Sequence, residues 1–195
     1  MPVPDAPRSP DWEELYSTAE AQSGYLTTAQ AAAAGYSPQL LQKHLAAGRI
    51  TRVRRGIYRL VHFPASENEE LVVLWLWAER EGVFSHETAL ALRDLSDVLP
   101  TRVHMTVPRR WAGRRLRVPE GLVLHYADID DADRKWFDAV PITSPLRSLQ
   151  DCIDAHLSPE LLEQGIREAS SRGLISREDA RRLSESLQRS LEETP

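Results

Sequence analysis

Glycine falls at positions 35, 48 and 56 of a stretch, Thr27–Leu60, that contains no acidic residue (TTAQAAAAGYSPQLLQKHLAAGRITRVRRGIYRL). That punctuation cuts the stretch into pieces too short for anything but small helices and a tight ribbon. Thr27 or Thr28 is a side-chain cap for a short alanine-rich helix, which Gly35 ends because glycine tolerates the left-handed turn. Ser37-Pro38 opens a second helix, with serine as N-cap and proline at the first position, where no N–H is missed. At helical spacing Leu41 and Leu45 share an inner face with Leu40 and His44, while Gln39, Gln42, Lys43 and Ala46 fall outside. Gly48 closes that helix. ITRVRRGIYRL then predicts strands Ile50–Arg54 and Ile57–Leu60 around an Arg55-Gly56 turn. Upstream, Asp11 caps a helix to about Gln22 with Trp12, Leu15, Tyr16 and Ala19 as its buried stripe. Tyr25-Leu26 is a short extended piece suited to pairing with the ribbon.

Helix, tight turn, polar-faced helix and basic ribbon read together as a winged helix-turn-helix. From Ala21 to Ser66 the chain holds Lys43, Arg49, Arg52, Arg54, Arg55 and Arg59 and no Asp or Glu, the electrostatic footprint of a nucleic-acid-binding face. Amide and lysine side chains suit base edges and the ribbon's arginines suit phosphates or a minor groove. The expected DNA-binding set is Thr28, Ser37, Gln39, Gln42, Lys43, Arg49, Arg52, Arg54, Arg55 and Arg59. The plainer alternative is a scaffold or protein-interaction module built on the same helix pair and hairpin.

The net charge of −5 argues against a non-specific nucleic-acid coat, but it is unevenly distributed. A second acid-free stretch, Val98–Pro119, contains Arg102, Arg109, Arg110, Arg114, Arg115 and Arg117. The two stretches hold 12 of the 24 basic residues, so the remainder of the chain is strongly acidic, with 12 basic residues against 29 acidic ones. Such polarity suits one face toward a polyanion. Arg109, Arg110, Arg114, Arg115 and Arg117 form a secondary basic surface that would grip flanking phosphates or an acidic partner, or else be a solvated loop balanced by Asp128–Asp133. Trp111, in its middle, is placed to anchor the loop.

A length of 195 residues suits one large or two small domains. The expected class is α+β: a proline-rich disordered segment (1–10), the winged domain (11–62), a linker at His62–Ser66, and a C-terminal mixed α/β domain (66–195) with a small sheet and several helices. In that second part Ser66 and Glu69 form a capping-box pattern for a helix to about Glu81, and Ser85 caps another to about Leu95. Strands are expected at Arg102–Val107, Leu122–Tyr126 and Val140–Thr143. Ser144-Pro145, Ser158-Pro159 and Ser176 each launch a further helix. The lone cysteine, Cys152, excludes an intramolecular disulfide, and the longest apolar run, Leu71–Ala78, is far short of the ~20 residues needed to span a bilayer. A cytoplasmic protein without membrane partners is the corresponding expectation.

No constellation in the sequence has the spacing of a catalytic or metal site. His86-Glu87 is the sharpest candidate, yet the zinc-protease pattern would need a second histidine where Leu90 stands. The Asp128–Asp133 run lacks the glycine and glutamate of a calcium loop. His86 with His104 or His125 is conceivable as a metal pair, but six scattered histidines read more simply as structural ones. No enzyme activity, cofactor or metal is expected; a metal-dependent hydrolase using His86 and Glu87 is the third-ranked reading.

The segments YLTTAQAAAAGYSPQLLQKHLAAGRITRVRRGIYRL, FSHETALALRDLSDVLP, VHMTVPRR and VPITSPLRSLQD, in that order, resemble the AbiEi family of antitoxins, bacterial transcriptional regulators of type IV toxin–antitoxin systems. The similarity covers about Tyr25–Ile153. It implies an N-terminal winged helix-turn-helix that binds double-stranded DNA at inverted repeats of its own promoter and represses its operon. It also implies a C-terminal domain that contributes to antitoxicity against a nucleotidyltransferase toxin encoded beside it. On this resemblance the recognition helix maps on Ser37–Ala47 and the wing on Arg52–Arg59. Direct contact with the toxin and the oligomeric state stay open, a monomer binding DNA cooperatively being one arrangement. The alternative function is neutralisation of a toxin by direct contact without DNA binding.

Overall fold

The computed structural model describes residues 9–192, so the expectation for most of the 1–10 segment lies outside the described residues. The chain is mixed α and β with two small sheets. It divides into two compact units: residues up to Arg80 with Asp138–Val140, and Glu81–Phe137 with Pro141 onward.

The first unit begins with α1 (Trp12–Glu20), capped by Asp11, whose carboxylate accepts from the Glu14 N–H. Leu15 and Ala19 are buried as their spacing predicts, but Trp12 and Tyr16 are about 40% exposed (41% and 43%). Both lie toward the edge of that face, the Trp12 ring stacked on His44 and the Tyr16 ring 6.5 Å from Phe63 between centres. Strand β1 (Tyr25–Thr27) leads directly into α2 (Thr28–Ala33), where Thr27 and Gln30 form a reciprocal capping box. Gly35, at φ +82°, turns the chain into α3 (Pro38–Ala46), with Ser37 accepting from the Leu40 N–H at 3.2 Å. Strands β2 (Ile50–Arg54) and β3 (Ile57–Leu60) form the hairpin. β1 adds on the other side of β3, giving the order β1-β3-β2, all antiparallel. Leu26, Ala31, Leu41, Ile50, Tyr58 and Leu60 meet Leu15 and Ala19 in one core.

Helix α4 (Glu69–Trp77), expected in the second domain, packs instead on β1 and β3 in the first unit. Val72 to Leu76 are all buried, so the helix is apolar around most of its circumference and its sequence does not say which sheet it covers. The capping box expected of Ser66 and Glu69 is only half made. The Glu69 carboxylate accepts from the Ser66 N–H, while Asn68 holds the N-cap position without a side-chain capping bond, its amide donating instead to the Asp138 carboxylate at 2.7 Å.

The second unit is built on a five-stranded sheet of order β6-β5-β4-β8-β7, from β4 (Val83–Phe84), β5 (Val103–Val107), β6 (Leu122–Tyr126), β7 (Arg134–Phe137) and β8 (Val140–Thr143). Strand β5 runs parallel to β6 and antiparallel to β4. Helices α5 (His86–Leu92), α6 (Pro145–Asp154), α7 (Pro159–Ser171) and α8 (Arg177–Glu192) bury Leu90, Leu95, Leu149, Ile153, Leu162, Ile166, Leu183 and Leu187 together. Cys152 lies in this core, where burial pushes its thiol well above the ordinary range, so it is an inert packing group. Among the described residues no helix is long and apolar enough to cross a membrane.

Candidate nucleic-acid interface

Helix α3 presents Gln39, Gln42 and Lys43 to solvent, while Leu41 is buried and Leu40 and Leu45 pack against the core. The division into faces is the one its 3.6-residue period requires. Ser37 is also exposed, its hydroxyl spent on capping. Beyond α3, the edge strand β2 buries only Ile50; Thr51, Arg52, Val53 and Arg54 are all exposed. Between Arg52 and Arg54 the register with β3 slips by one residue, so that Arg52 faces Tyr58 and Arg54 faces Ile57. A bulge of this kind twists an edge away from further strand pairing, and arginines on it do the same by charge. Arg55 and Gly56, the latter at φ +77°, close the turn. Arg49, Arg52, Arg54, Arg55 and Lys43 are therefore all exposed, with no acidic residue in the segment that carries them.

Two residues of the expected set are engaged elsewhere. Arg59 is turned into the unit. Its guanidinium bonds the Glu69 carboxylate at 2.8 Å and the Phe63 carbonyl at 3.0 Å, and it lies 5.6 Å from the Tyr25 ring centre. β3 is the central strand, so a residue there reaches neighbours on both sides. Thr28 ties the start of α2 to the hairpin turn, its N–H donating to the Gly56 carbonyl at 2.9 Å and its hydroxyl to the same oxygen at 3.4 Å.

Glu69 also accepts from the Tyr25 hydroxyl at 2.9 Å. Burial alone would raise its pKa, but the bonds from Arg59, Tyr25 and the Ser66 N–H outweigh that and hold it below its ordinary value. Replacing Glu69 with Ala leaves a largely covered guanidinium and a phenol unpaired, and the expected loss is about 1–3 kcal/mol in a denaturant titration at pH 7. A carboxyl with a depressed folded-state pKa stabilises above its unfolded pKa and loses that contribution as pH falls through the folded one. The difference between wild type and variant therefore narrows as pH falls below the ordinary glutamate value of about 4.3 and through the lower folded one.

In the second unit the loop between β5 and β6 carries the other arginines. Trp111 anchors it, 1% exposed, with the Arg114 guanidinium 4.1 Å from the ring centre. Arg110 pairs with Glu81, and the Arg109 N–H donates to the Asp128 carboxylate at 3.2 Å. Arg109, Arg110, Arg114, Arg115 and Arg117 are all exposed.

This unit also joins three residues that sequence spacing gave no reason to join. In the β5–β6 ladder Thr106 pairs with His125 and His104 with Val123, which puts His104, Thr106 and His125 on one face of the sheet. His86, the first residue of α5, closes over them, its ring stacked on His125 at 3.6 Å between centres. Burial, reinforced by the neighbouring positive groups, lowers His86 to about 3 and His125 to about 4, and burial also lowers His104.

No curated protein matches the chain. Among solved structures, the crystal structure of RV2827C protein from Mycobacterium tuberculosis is 16% identical with a TM-score of 0.43, covering 95% of this chain and 79% of that one. Residues 13–61, from α1 to the end of the hairpin, match a family model described as "Transcriptional regulator, AbiEi antitoxin". Over residues 13–61 the chain is thus similar to the AbiEi antitoxins, transcriptional regulators by that description.

Proposed function

We propose that the first unit is a winged helix-turn-helix that binds double-stranded DNA at inverted repeats in the chain's own promoter, and that the protein thereby represses its own toxin–antitoxin operon. The carrying observation is the acid-free, solvent-facing side of α3 beside an edge strand whose exposed residues include Arg52 and Arg54. On this reading α3 lies in the major groove. Gln39 and Gln42 meet base edges, with Lys43 beside them, while Arg49, Arg52, Arg54 and Arg55 hold phosphates. Arg59 and Thr28 support the unit from within. The antitoxin part of the proposal is supported by the family description matched at residues 13–61; that the target is a nucleotidyltransferase toxin in the cytoplasm follows from the resemblance to the AbiEi family, and we assign this role to the second unit. Its exposed arginine loop is the surface we assign to an acidic partner, since a guanidinium fork binds carboxylate as readily as phosphate.

A mobility shift on the promoter tests the DNA reading. Gln39→Ala or Gln42→Ala is expected to cost about 1–3 kcal/mol on the operator and little on random DNA, because a lost base contact removes discrimination. Arg54→Ser with Arg55→Ser is expected to weaken both DNAs alike. Equal losses on both DNAs for every one of these substitutions would mean that α3 is not the reading helix.

A further inference from the structure

We propose that His86, His104 and His125 form a binding site for one divalent transition-metal ion of the Zn2+ type. Each offers a ring nitrogen, and these atoms lie within 4.8 Å of one another. The His104 Nδ1 and His125 Nε2 atoms are 3.1 Å apart. Two imidazole ligands at Zn–N distances of about 2.0–2.1 Å on a tetrahedron stand roughly 3.3 Å apart, so this pair already has nearly the spacing of two metal ligands. The third ring nitrogen, on His86, lies within 4.8 Å of this pair.

The surroundings hold the rings as outer-shell partners hold metal ligands. The His86 Nδ1 atom is 2.9 Å from the Ser85 hydroxyl, which leaves Nε2 for a ligand role, and the Thr106 hydroxyl donates to Ser85 at 2.8 Å. Ser85 and Thr106 are both buried. The His104 backbone N–H is fixed by the Thr88 hydroxyl at 2.8 Å. His86 itself sits at φ +54°, a left-handed conformation that a residue with a side chain keeps only where the surroundings enforce it. Here it delivers the ring onto His125.

The site opens on a cleft of about 550 Å³, lined by His86, His125, Arg147, Asp151 and Asp154 among others. Asp151 is buried. Its Oδ1 is taken by Arg147 at 2.7 Å, while its Oδ2 is buried without a hydrogen-bond partner. A metal with three protein ligands keeps an open fourth position for water, and Asp151 lines the same cleft. Imidazole sets of this kind suit Zn2+, Co2+, Ni2+ and Cu2+ rather than Mg2+ or Ca2+.

The test uses the full chain, free of any histidine tag and treated with a chelator. Co2+ is titrated in, followed by its visible absorption, and Zn2+ is then added in competition. One equivalent of Co2+ is expected to give the intense bands of a four-coordinate site and to be displaced by Zn2+. His104→Gln and His125→Gln should each weaken binding at least about 100-fold, and Ser85→Ala about 10–100-fold, the usual cost of an outer-shell partner. His62→Gln and His156→Gln, outside the cluster, should leave it unchanged. Far-UV circular dichroism checks that the variants are folded; His125 is only partly buried on β6, so its variant serves if His86 or His104 variants unfold. The proposal is overturned if wild type binds Co2+ and Zn2+ no more tightly than the His104→Gln/His125→Gln double variant, or if octahedral Co2+ alone is seen. The three histidines would then be a hydrogen-bonded stack only.

Discussion

Changing Arg49, Arg52, Arg54 and Arg55 together to serine is expected to abolish most of the salt dependence of DNA binding and with it most of the affinity. Each phosphate neutralised releases condensed counterions, and the log–log slope of affinity against salt is roughly −0.9 per contact. Lys43 and the four arginines are the five exposed basic groups of the proposed DNA-binding segment. If four or five of them meet phosphates, the wild-type slope is about −4 to −5, and raising salt from 50 to 200 mM weakens binding roughly 500-fold. The quadruple variant retains Lys43 alone; its slope should be about −1 and its loss over the same range only about 3- to 4-fold. Equilibrium titrations of both proteins on operator and random DNA measure this directly. A wild-type slope near zero would remove the electrostatic reading of this segment. The substituted side chains are exposed, and surface changes of this type usually alter stability by less than about 0.5 kcal/mol, so lost binding would not be lost folding.

Trp111→Ala is expected to have the largest effect on stability. The ring is 1% exposed and carries the stacked Arg114 guanidinium. Removing a buried aromatic ring of this size costs about 3–5 kcal/mol, against a net stability of about 5–15 kcal/mol for a whole domain. Thermal unfolding followed by the remaining tryptophans should show a transition lowered by roughly 10 °C or more. Trp111→Phe, which keeps an aromatic face for Arg114, should recover much of the loss. At a temperature where the variant is still folded, operator affinity should be unchanged, because α3 and the hairpin belong to the other unit, while toxin neutralisation in cells should fall if the arginine loop is the partner surface. A drop in operator affinity with a shallower salt slope would instead place the loop on DNA.

The local structure of the first unit was legible because its signals are short-range. Ser37-Pro38 and Gly48 bound α3, Gly56 closes the hairpin, and the period of Leu41 and Leu45 decides which face of α3 meets the core. Each depends on a backbone angle, a cap or a helical repeat that operates within a few residues. The exposure of Gln39, Gln42 and Lys43 follows from the same period.

Other features were decided only when distant segments met. Arg59 reads as one more wing arginine, yet it is held inside by Glu69, ten residues away, because β3 is the middle strand of its sheet. Helix α4 is apolar enough to pack against either sheet, so nothing in its sequence assigned it to the first unit. Strands β4 and β7 went unread, one because two residues carry no periodicity, the other because RKWF lies at a sheet edge with Trp136 exposed. The histidine cluster is the clearest case. His86, His104 and His125 stand 18 and 21 positions apart with no ligand spacing, and they converge only because β5 pairs in parallel with β6 in one register while the left-handed turn at His86 folds α5 across that face. The sequence determined the helices, turns and exposed basic face of the first unit through local backbone preferences. The tertiary structure alone decided which charges are spent internally and which ring nitrogens meet, since strand register is a long-range choice that no neighbouring residue encodes.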